Sequence, residues 1–310
     1  MNSQPQDSLE WLRKNRTVHD ALFERVDPSQ LVAKVRDHRA FLKDATQTDT
    51  SWVGLYLDGF ADRLEGSRVL ELGPGNGLNA LIMAALGAEV VAIDVSQQSI
   101  RILRTASREL GLTRKVRAIA GDFAALAIPA ESFDFVVGKA LLHHLTHEQE
   151  AAYLAQTSTV LRSGGEARFV EPAVNSRVLD LVRWVIPVPG RPSILNRRAF
   201  ATYALGHAHP KRDDSSRHCI EVGRRYFGEV DVVPIGSLER FHRFLPRGES
   251  SRRFRRWAFR FERSLPHRLR WVTARTQTII LRHPRSGLMV VPIGRPSTSS
   301  RIAGRQVSAF

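Results

Sequence analysis

From Arg68 onward the chain alternates between two patterns. Short apolar runs end in a polar or glycine residue, and the stretches between them repeat apolar residues every three or four positions. The runs are Arg68 to Leu72, Glu89 to Asp94, Lys115 to Ala120, Phe133 to Gly138 and Glu166 to Val170. Runs this short and this apolar predict strands buried on both faces. Between them, Leu78 to Gly87 predicts a short helix closed by its glycine. Ser96 caps a second helix with Ile100, Leu103, Ala106 and Leu110 inward and Gly111 as its stop. Thr146-x-x-Gln149 is a capping box for a third, which runs to Leu161 before the turn Ser163-Gly164-Gly165. Five strands alternating with helices predict a doubly wound α/β sheet. Ligands of such sheets sit beyond the carboxyl ends of the strands, where Glu71, Asp94 and Asp122 all fall.

The flanks follow a helical period. Residues 1–66 predict an N-terminal helical cap, with Trp11, Val18, Leu22, Leu31, Val35 and Leu42 inward and a break at Pro28. Trp52, Tyr56, Leu57, Phe60 and Leu64 form a further apolar face. Trp52 and Tyr56 on it are either core or a lid over a ligand. Past Pro172, Val178 to Val188 is apolar and Asn196 to Leu205 is helix-like. His207 and His209 stand in a polar loop, and their i, i+2 spacing before a proline predicts loop rather than a metal site. In 240–271, Phe254, Trp257, Ala258 and Phe261 recur at helical spacing among arginines. This basic amphipathic insertion either covers the body with Phe254, Trp257 and Phe261 packed inward and Arg252, Arg253, Arg255 and Arg256 outward, or lies on an anionic membrane. Residues 284–310 predict a flexible basic tail with an apolar patch from Leu288 to Ile293.

Composition narrows the class. At 310 residues and 43% hydrophobic content the chain can bury a large core, and no run is long enough to span a membrane. Cys219 is the only cysteine, so thiolate metal clusters and internal disulfides are excluded and a reducing, cytoplasmic setting is expected. The net charge of +15 is concentrated: residues 240–310 hold 17 arginines against Glu249 and Glu262. Such an end suits nucleic acid, an anionic membrane or an acidic partner. It also fits a plain preference for arginine, since the chain holds 40 arginines and six lysines.

The chemistry concentrates in Glu71-Leu72-Gly73-Pro74-Gly75-Asn76-Gly77, between the first strand and its helix. Glycines there bring the backbone close under a ligand, and the helix start turns free N–H groups toward it. A third glycine in the dinucleotide spacing would fall on Leu78, and no Gly-Lys-Ser/Thr follows, so neither dinucleotide nor P-loop binding fits.

Glu71-x-Gly73-x-Gly75-x-Gly77, Asp94, Gly121-Asp122-Phe123, the Phe133 to Val137 strand and Leu161-Arg162-Ser163-Gly164-Gly165 together resemble class I S-adenosylmethionine-dependent methyltransferases. The likeness covers residues 66–172 and is closest to the bacterial small-molecule group with "LHH" after the fourth strand. It implies a seven-stranded, mostly parallel Rossmann-like sheet over 67–283, with Glu229 to Ile235 as sixth strand and Thr276 to Arg282 as an antiparallel seventh. It implies S-adenosylmethionine as cofactor, with Gly73, Gly75 and Gly77 in backbone contact and Glu71 near the methionine end. Asp94 would take the ribose hydroxyls, Val95 and Phe123 the adenine ring, and Asp122 its amino group. Gly138 and Lys139 would line the methionine side, where the family often has a small or polar residue in place of Lys139. His143 and His144 would position the loop at the sulfonium end, or one would act as general base. The insertion 173–228 would cover the substrate, making Trp184, Arg197, His207, His209 and His218 substrate-side candidates.

The implied activity is methyl transfer to a small molecule, at oxygen or nitrogen rather than carbon. A nucleic-acid methylase and a non-catalytic cofactor binder are the alternatives. Gly138-Lys139-Ala140-Leu141 is not the Asn/Asp-Pro-Pro-aromatic of adenine methylases, and no Pro-Cys nucleophile is present. The acceptor and the oligomeric state are not specified by these motifs.

Overall fold

The computed structural model describes residues 5–188, 191–205 and 217–285. Its strands are β1 (Arg68–Leu72), β2 (Glu89–Asp94), β3 (Val116–Ala120), β4 (Phe133–Lys139), β5 (Leu161–Pro172), β6 (Phe227–Ile235) and β7 (Thr276–Pro284). They form one sheet in the order β3-β2-β1-β4-β5-β7-β6. β1 to β5 pair in parallel, and β7 runs antiparallel to both β5 and β6. The seven-stranded, mostly parallel sheet implied by the resemblance is therefore the observed one. β5 starts earlier than the pattern predicts. Its register against β4 shifts between Phe133 and Phe135, so Ser163 to Gly165 form an irregularity inside the strand.

The helices before the sheet are α1 (Pro5–Phe23), α2 (Pro28–Arg36), α3 (His38–Thr48) and α4 (Thr50–Leu55), followed by a 3₁₀ turn, Leu57–Arg63. Those alternating with the parallel strands are α5 (Leu78–Ala85), α6 (Gln97–Glu109) and α7 (His147–Val160). After β5 come α8 (Arg177–Val185), α9 (Arg197–Leu205), α10 (Arg217–Tyr226), α11 (Glu249–Glu262) and α12 (His267–Thr273). The signals read from sequence operate: Ser96 caps α6, and Thr146 with Gln149 forms the capping box of α7.

Successive strand residues face opposite sides, so β1 feeds two cores. Val69 joins Leu31, Val35, Trp52, Phe60 and Ile82, while Leu70 joins Val136, Leu154, Val222 and Leu281. The N-terminal helices thus share a core with the sheet. Gly54 lets α4 sit directly on it, since a Cβ there would stand 2.6 Å from Thr278 Oγ1. Arg168 on β5, fully buried, ties this layer down. Its Nε donates to Glu166 Oε1, and its Nη1 donates to the carbonyls of Leu55 and Leu57.

α11 corrects the expected orientation of the basic insertion. Trp257 and Phe261 are 51% and 46% exposed, while Ala258 and Glu262 are buried. Arg255 points inward, its Nε 2.8 Å from Glu239, and Arg256 reaches Asp44 and Glu249. The reason is Glu239: a fully buried carboxylate, also bound by Arg275, draws Arg255 in and leaves Trp257 and Phe261 outward, while Arg252 and Arg253 are exposed as expected and Phe254 is half-buried. Among the described residues no helix is long and apolar enough to cross a membrane. The apolar patch from Leu288 to Ile293 and the rest of the expected tail from 286 lie outside the described residues.

Candidate active site

The loop after β1 is built on left-handed backbone. Gly73 (φ +64°) and Gly77 (φ +81°) adopt it with little room to spare: a Cβ would meet Leu141 at 3.1 Å and Leu103 at 2.9 Å, respectively. Asp94, at the end of β2, anchors this loop. Its Oδ1 accepts from Ser96 N–H (2.8 Å), and its Oδ2 accepts from Gly75 N–H (3.3 Å) and from the Ser99 hydroxyl (3.0 Å). Burial pushes the Asp94 carboxyl up, against the pull of these bonds and of His19.

Beyond the strand ends lies a cavity of about 260 Å³. Of the residues singled out from sequence, Gly73, Gly75, Asp94, Val95, Phe123, Lys139 and His144 line it. Glu71, Gly77, Asp122, Gly138 and His143 stand outside its wall. Glu71 is buried at 1% exposure; its Oε1 accepts from Asn79 Nδ2 (2.8 Å), and Asn79 Oδ1 accepts from the Tyr56 hydroxyl (3.0 Å). Glu71 Oε2 has no hydrogen-bond partner among the described residues. Burial raises the Glu71 pKa to about 7, with the charge of Lys139 and the Asn79 bond opposing it. Gly138 is needed for packing, because a Cβ would stand 2.9 Å from the Phe169 ring. Asp122 accepts from the Tyr153 hydroxyl (2.8 Å) and from Ala124 N–H (3.2 Å).

The two histidines are separated by function of place. His143 Nδ1 lies 2.6 Å from Glu171 Oε2, and a carboxylate only accepts, so Nδ1 carries the proton. Glu171 Oε1 also accepts from the N–H groups of Leu141 (2.9 Å) and Leu142 (2.8 Å). The carboxylate ending β5 therefore gathers the whole segment after β4. His144 faces the cavity, with its ring 4.2 Å from that of His143 and 5.4 Å from that of His19.

Three substrate-side expectations need correction. Trp52 and Tyr56 are core residues, 7% and 8% exposed and stacked at 5.6 Å. The face that was a candidate lid is the one α4 buries against the sheet. Trp184 packs edge-on to Phe200 (5.6 Å) beneath Arg191 and is absent from the cavity wall. His207 and His209 lie outside the described residues. Arg197 is exposed at the start of α9. His218 sits 2.7 Å from the buried Glu150 and stacks on His147. Among the described residues no three His, Cys, Asp or Glu side chains gather as a metal would require.

Other wall residues carried no sequence signal beyond their helices. α1 supplies His19, Leu22 and Phe23, and α7 supplies Gln149 and Tyr153. α1 is latched by Asp20, whose Oδ1 accepts from the Ser96 hydroxyl (2.6 Å) and Gln98 N–H (3.1 Å). Burial lowers the His19 pKa, against the attraction of Asp94 and Asp20.

Residues 69–165 match a family described as "Methyltransferase domain". The ubiquinone biosynthesis O-methyltransferase of Roseobacter denitrificans is 35% identical over 101 residues, 33% of this chain and 39% of that protein. The protein of the same name from Methylocella silvestris is 34% identical over 127 residues, 41% of this chain and 48% of that protein. The chain thus spans about two fifths to half the length of these relatives. Among solved structures, the [4+2]-cyclase SpnF is 21% identical with a TM-score of 0.48, covering 76% of this chain and 84% of that one. The geranyl diphosphate C-methyltransferase from Streptomyces coelicolor is 10% identical with a TM-score of 0.46, covering 70% and 69%. Over residues 69–165, about a third of its length, the chain is therefore similar to a methyltransferase domain.

Proposed function

We propose that the chain is an S-adenosylmethionine-dependent methyltransferase whose acceptor is a small molecule methylated at oxygen. The observation that carries this reading is the pairing of the glycine loop with a strand-end carboxylate at one cavity: Gly73, Gly75 and Asp94 share its wall. The residues present fit the cofactor. The loop offers close backbone approach without a phosphate-binding lysine, and Phe123 and Val95 offer an apolar seat for a purine beside Asp94. Glu71, with an unpartnered buried oxygen next to the loop, suits an ammonium group. When bound, the cofactor supplies an electrophilic methyl group on a sulfonium.

The chain's own part is placement. Gly73 and Gly75 hold the cofactor side of the cavity, while Leu141, His144 and Leu145 bound it from the segment after β4. Methyl transfer needs an in-line nucleophile at short range, and holding it there accounts for much of the rate. Glu171 fixes His143, so His143 serves the shape of this segment rather than touching the acceptor. α1 contributes His19, Leu22 and Phe23 to the wall of the cavity. Methylation at oxygen is supported by the similarity of a third of the chain to ubiquinone biosynthesis O-methyltransferases.

The test is incubation of the purified chain with methyl-labelled S-adenosylmethionine and a panel of hydroxylated and amino-bearing small aromatics. Label appearing in an O-methyl product supports the reading. Label only in N-methyl products transfers it to nitrogen, and label only in added nucleic acid overturns the small-molecule reading.

A further inference from the structure

Lys139 ends β4 in the cavity wall, between the glycine loop and Ala140. Its Nζ stands 4.0 Å from the centre of the Trp52 ring. That ring face is its closest charge-compensating contact: no hydrogen bond and no ion pair within 4 Å joins the Lys139 ammonium to a described residue. Glu71 and Asp49 attract its charge only from farther off, and burial disfavours the charged form. A ring face offsets only part of an ammonium's lost hydration, far less than a paired anion does. The neighbouring wall residues Gly73, Ala140 and Leu141 carry no charge. A half-buried ammonium in the cavity wall, with no carboxylate of the described residues within 4 Å of it, is placed to receive an oxyanion.

We propose that Lys139 is the anchor for a carboxylate of a small molecule bound in this cavity. The inference rests on the methyltransferase reading, in which a carboxylate has two sources: the amino-acid end of the cofactor, and the acceptor. Lys139 positions that end of the ligand and takes no part in bond making.

Calorimetry with S-adenosylhomocysteine and 5′-methylthioadenosine separates the sources, because the second is the same thioether nucleoside without the amino-acid end. If the cofactor supplies the carboxylate, Lys139→Met weakens S-adenosylhomocysteine ten- to a hundredfold and leaves 5′-methylthioadenosine unchanged, and Lys139→Arg restores part of the loss. If the acceptor supplies it, S-adenosylhomocysteine binds Lys139→Met as it binds the wild type. The Lys139 Cε signal of lysine-labelled wild-type protein, assigned among six lysines through Lys139→Arg, then shifts when millimolar benzoate meets the S-adenosylhomocysteine-loaded protein. Equal weakening of both nucleosides marks a structural lysine and overturns the proposal. So does unchanged nucleoside binding with a Cε signal that benzoate does not move. Should Lys139→Met not fold, a wild-type Cε signal that moves with S-adenosylhomocysteine and not with 5′-methylthioadenosine supports the cofactor source. If that signal moves with neither nucleoside nor with benzoate, the proposal falls. A wild type that binds neither nucleoside ends the cofactor reading instead, and benzoate on the unloaded protein then decides the lysine alone.

Discussion

Glu71 is held in the site at an electrostatic cost set by its burial. Its carboxyl is 1% exposed, has one hydrogen-bonded oxygen and titrates at about 7, against 4.5 for the free side chain. The folded state holds this proton more tightly than the unfolded state does. The contribution to stability is therefore full below about pH 4.5 and is lost as pH rises through about 7. The shift corresponds to about 3 kcal/mol at full loss. Glu71→Gln keeps an acceptor for Asn79 without ionising. The variant is expected to be more stable than wild type by about 2–3 kcal/mol at pH 8 and equal to it near pH 4, measured by urea unfolding. A variant that loses stability between pH 5 and 8 as the wild type does would remove Glu71 as the cause. In the proposed reading, where Glu71 meets the ammonium of the cofactor, the same variant is expected to bind S-adenosylhomocysteine more weakly, a trade common at functional sites.

At the scale of elements, the site is assembled by carboxylates that tie loops to strands. Asp94 holds the glycine loop, Glu171 holds the segment after β4, and Asp20 holds α1 against α6. The basic insertion follows the same logic. Glu239 is 0% exposed and has Arg255, Arg275 and His242 around it, whereas Arg253 on the same helix is exposed. Arg255→Gln is expected to destabilise the protein by about 1–3 kcal/mol, since it removes one cation from a buried carboxylate that keeps another. Arg253→Gln is expected to change stability by less than about 0.5 kcal/mol. Thermal or urea unfolding of the two variants side by side checks this; equal effects would show that α11 does not turn its charge inward.

At the scale of the whole molecule, the sheet and part of the cavity wall were legible in the sequence for a physical reason. A strand covered on both faces must be apolar throughout, so β1 to β5 announce themselves, and an acid or glycine at their carboxyl ends marks where polarity is tolerated. The glycine loop is legible because Gly73 and Gly77 occupy backbone that other residues rarely adopt. The rest depends on how faces pair in space. A helical stripe shows that α4 and α11 have an apolar side without showing what lies opposite. Trp52 and Tyr56 are core beneath Lys139, and Trp257 and Phe261 of the α11 stripe face outward while Arg255 turns in to Glu239. His19, Leu22 and Phe23 reach the cavity from 50 residues before the glycine loop, a distance that periodicity cannot bridge. Glu171 follows the Glu166 to Val170 run with no signal of its own, and only the backbone donors around it reveal its work.

In the proposed function the cavity at the strand ends takes a thioether adenosine and not a dinucleotide. Calorimetric titration of the purified chain with S-adenosylhomocysteine, NAD and ATP in parallel tests it most directly. The expected result is one-to-one binding of S-adenosylhomocysteine, weakened by about 2–4 kcal/mol in Asp94→Ala through loss of charge-assisted bonds, with no heat from the other two. Binding of NAD or ATP in its place, or S-adenosylhomocysteine binding untouched by a folded Asp94→Ala protein, would contradict it.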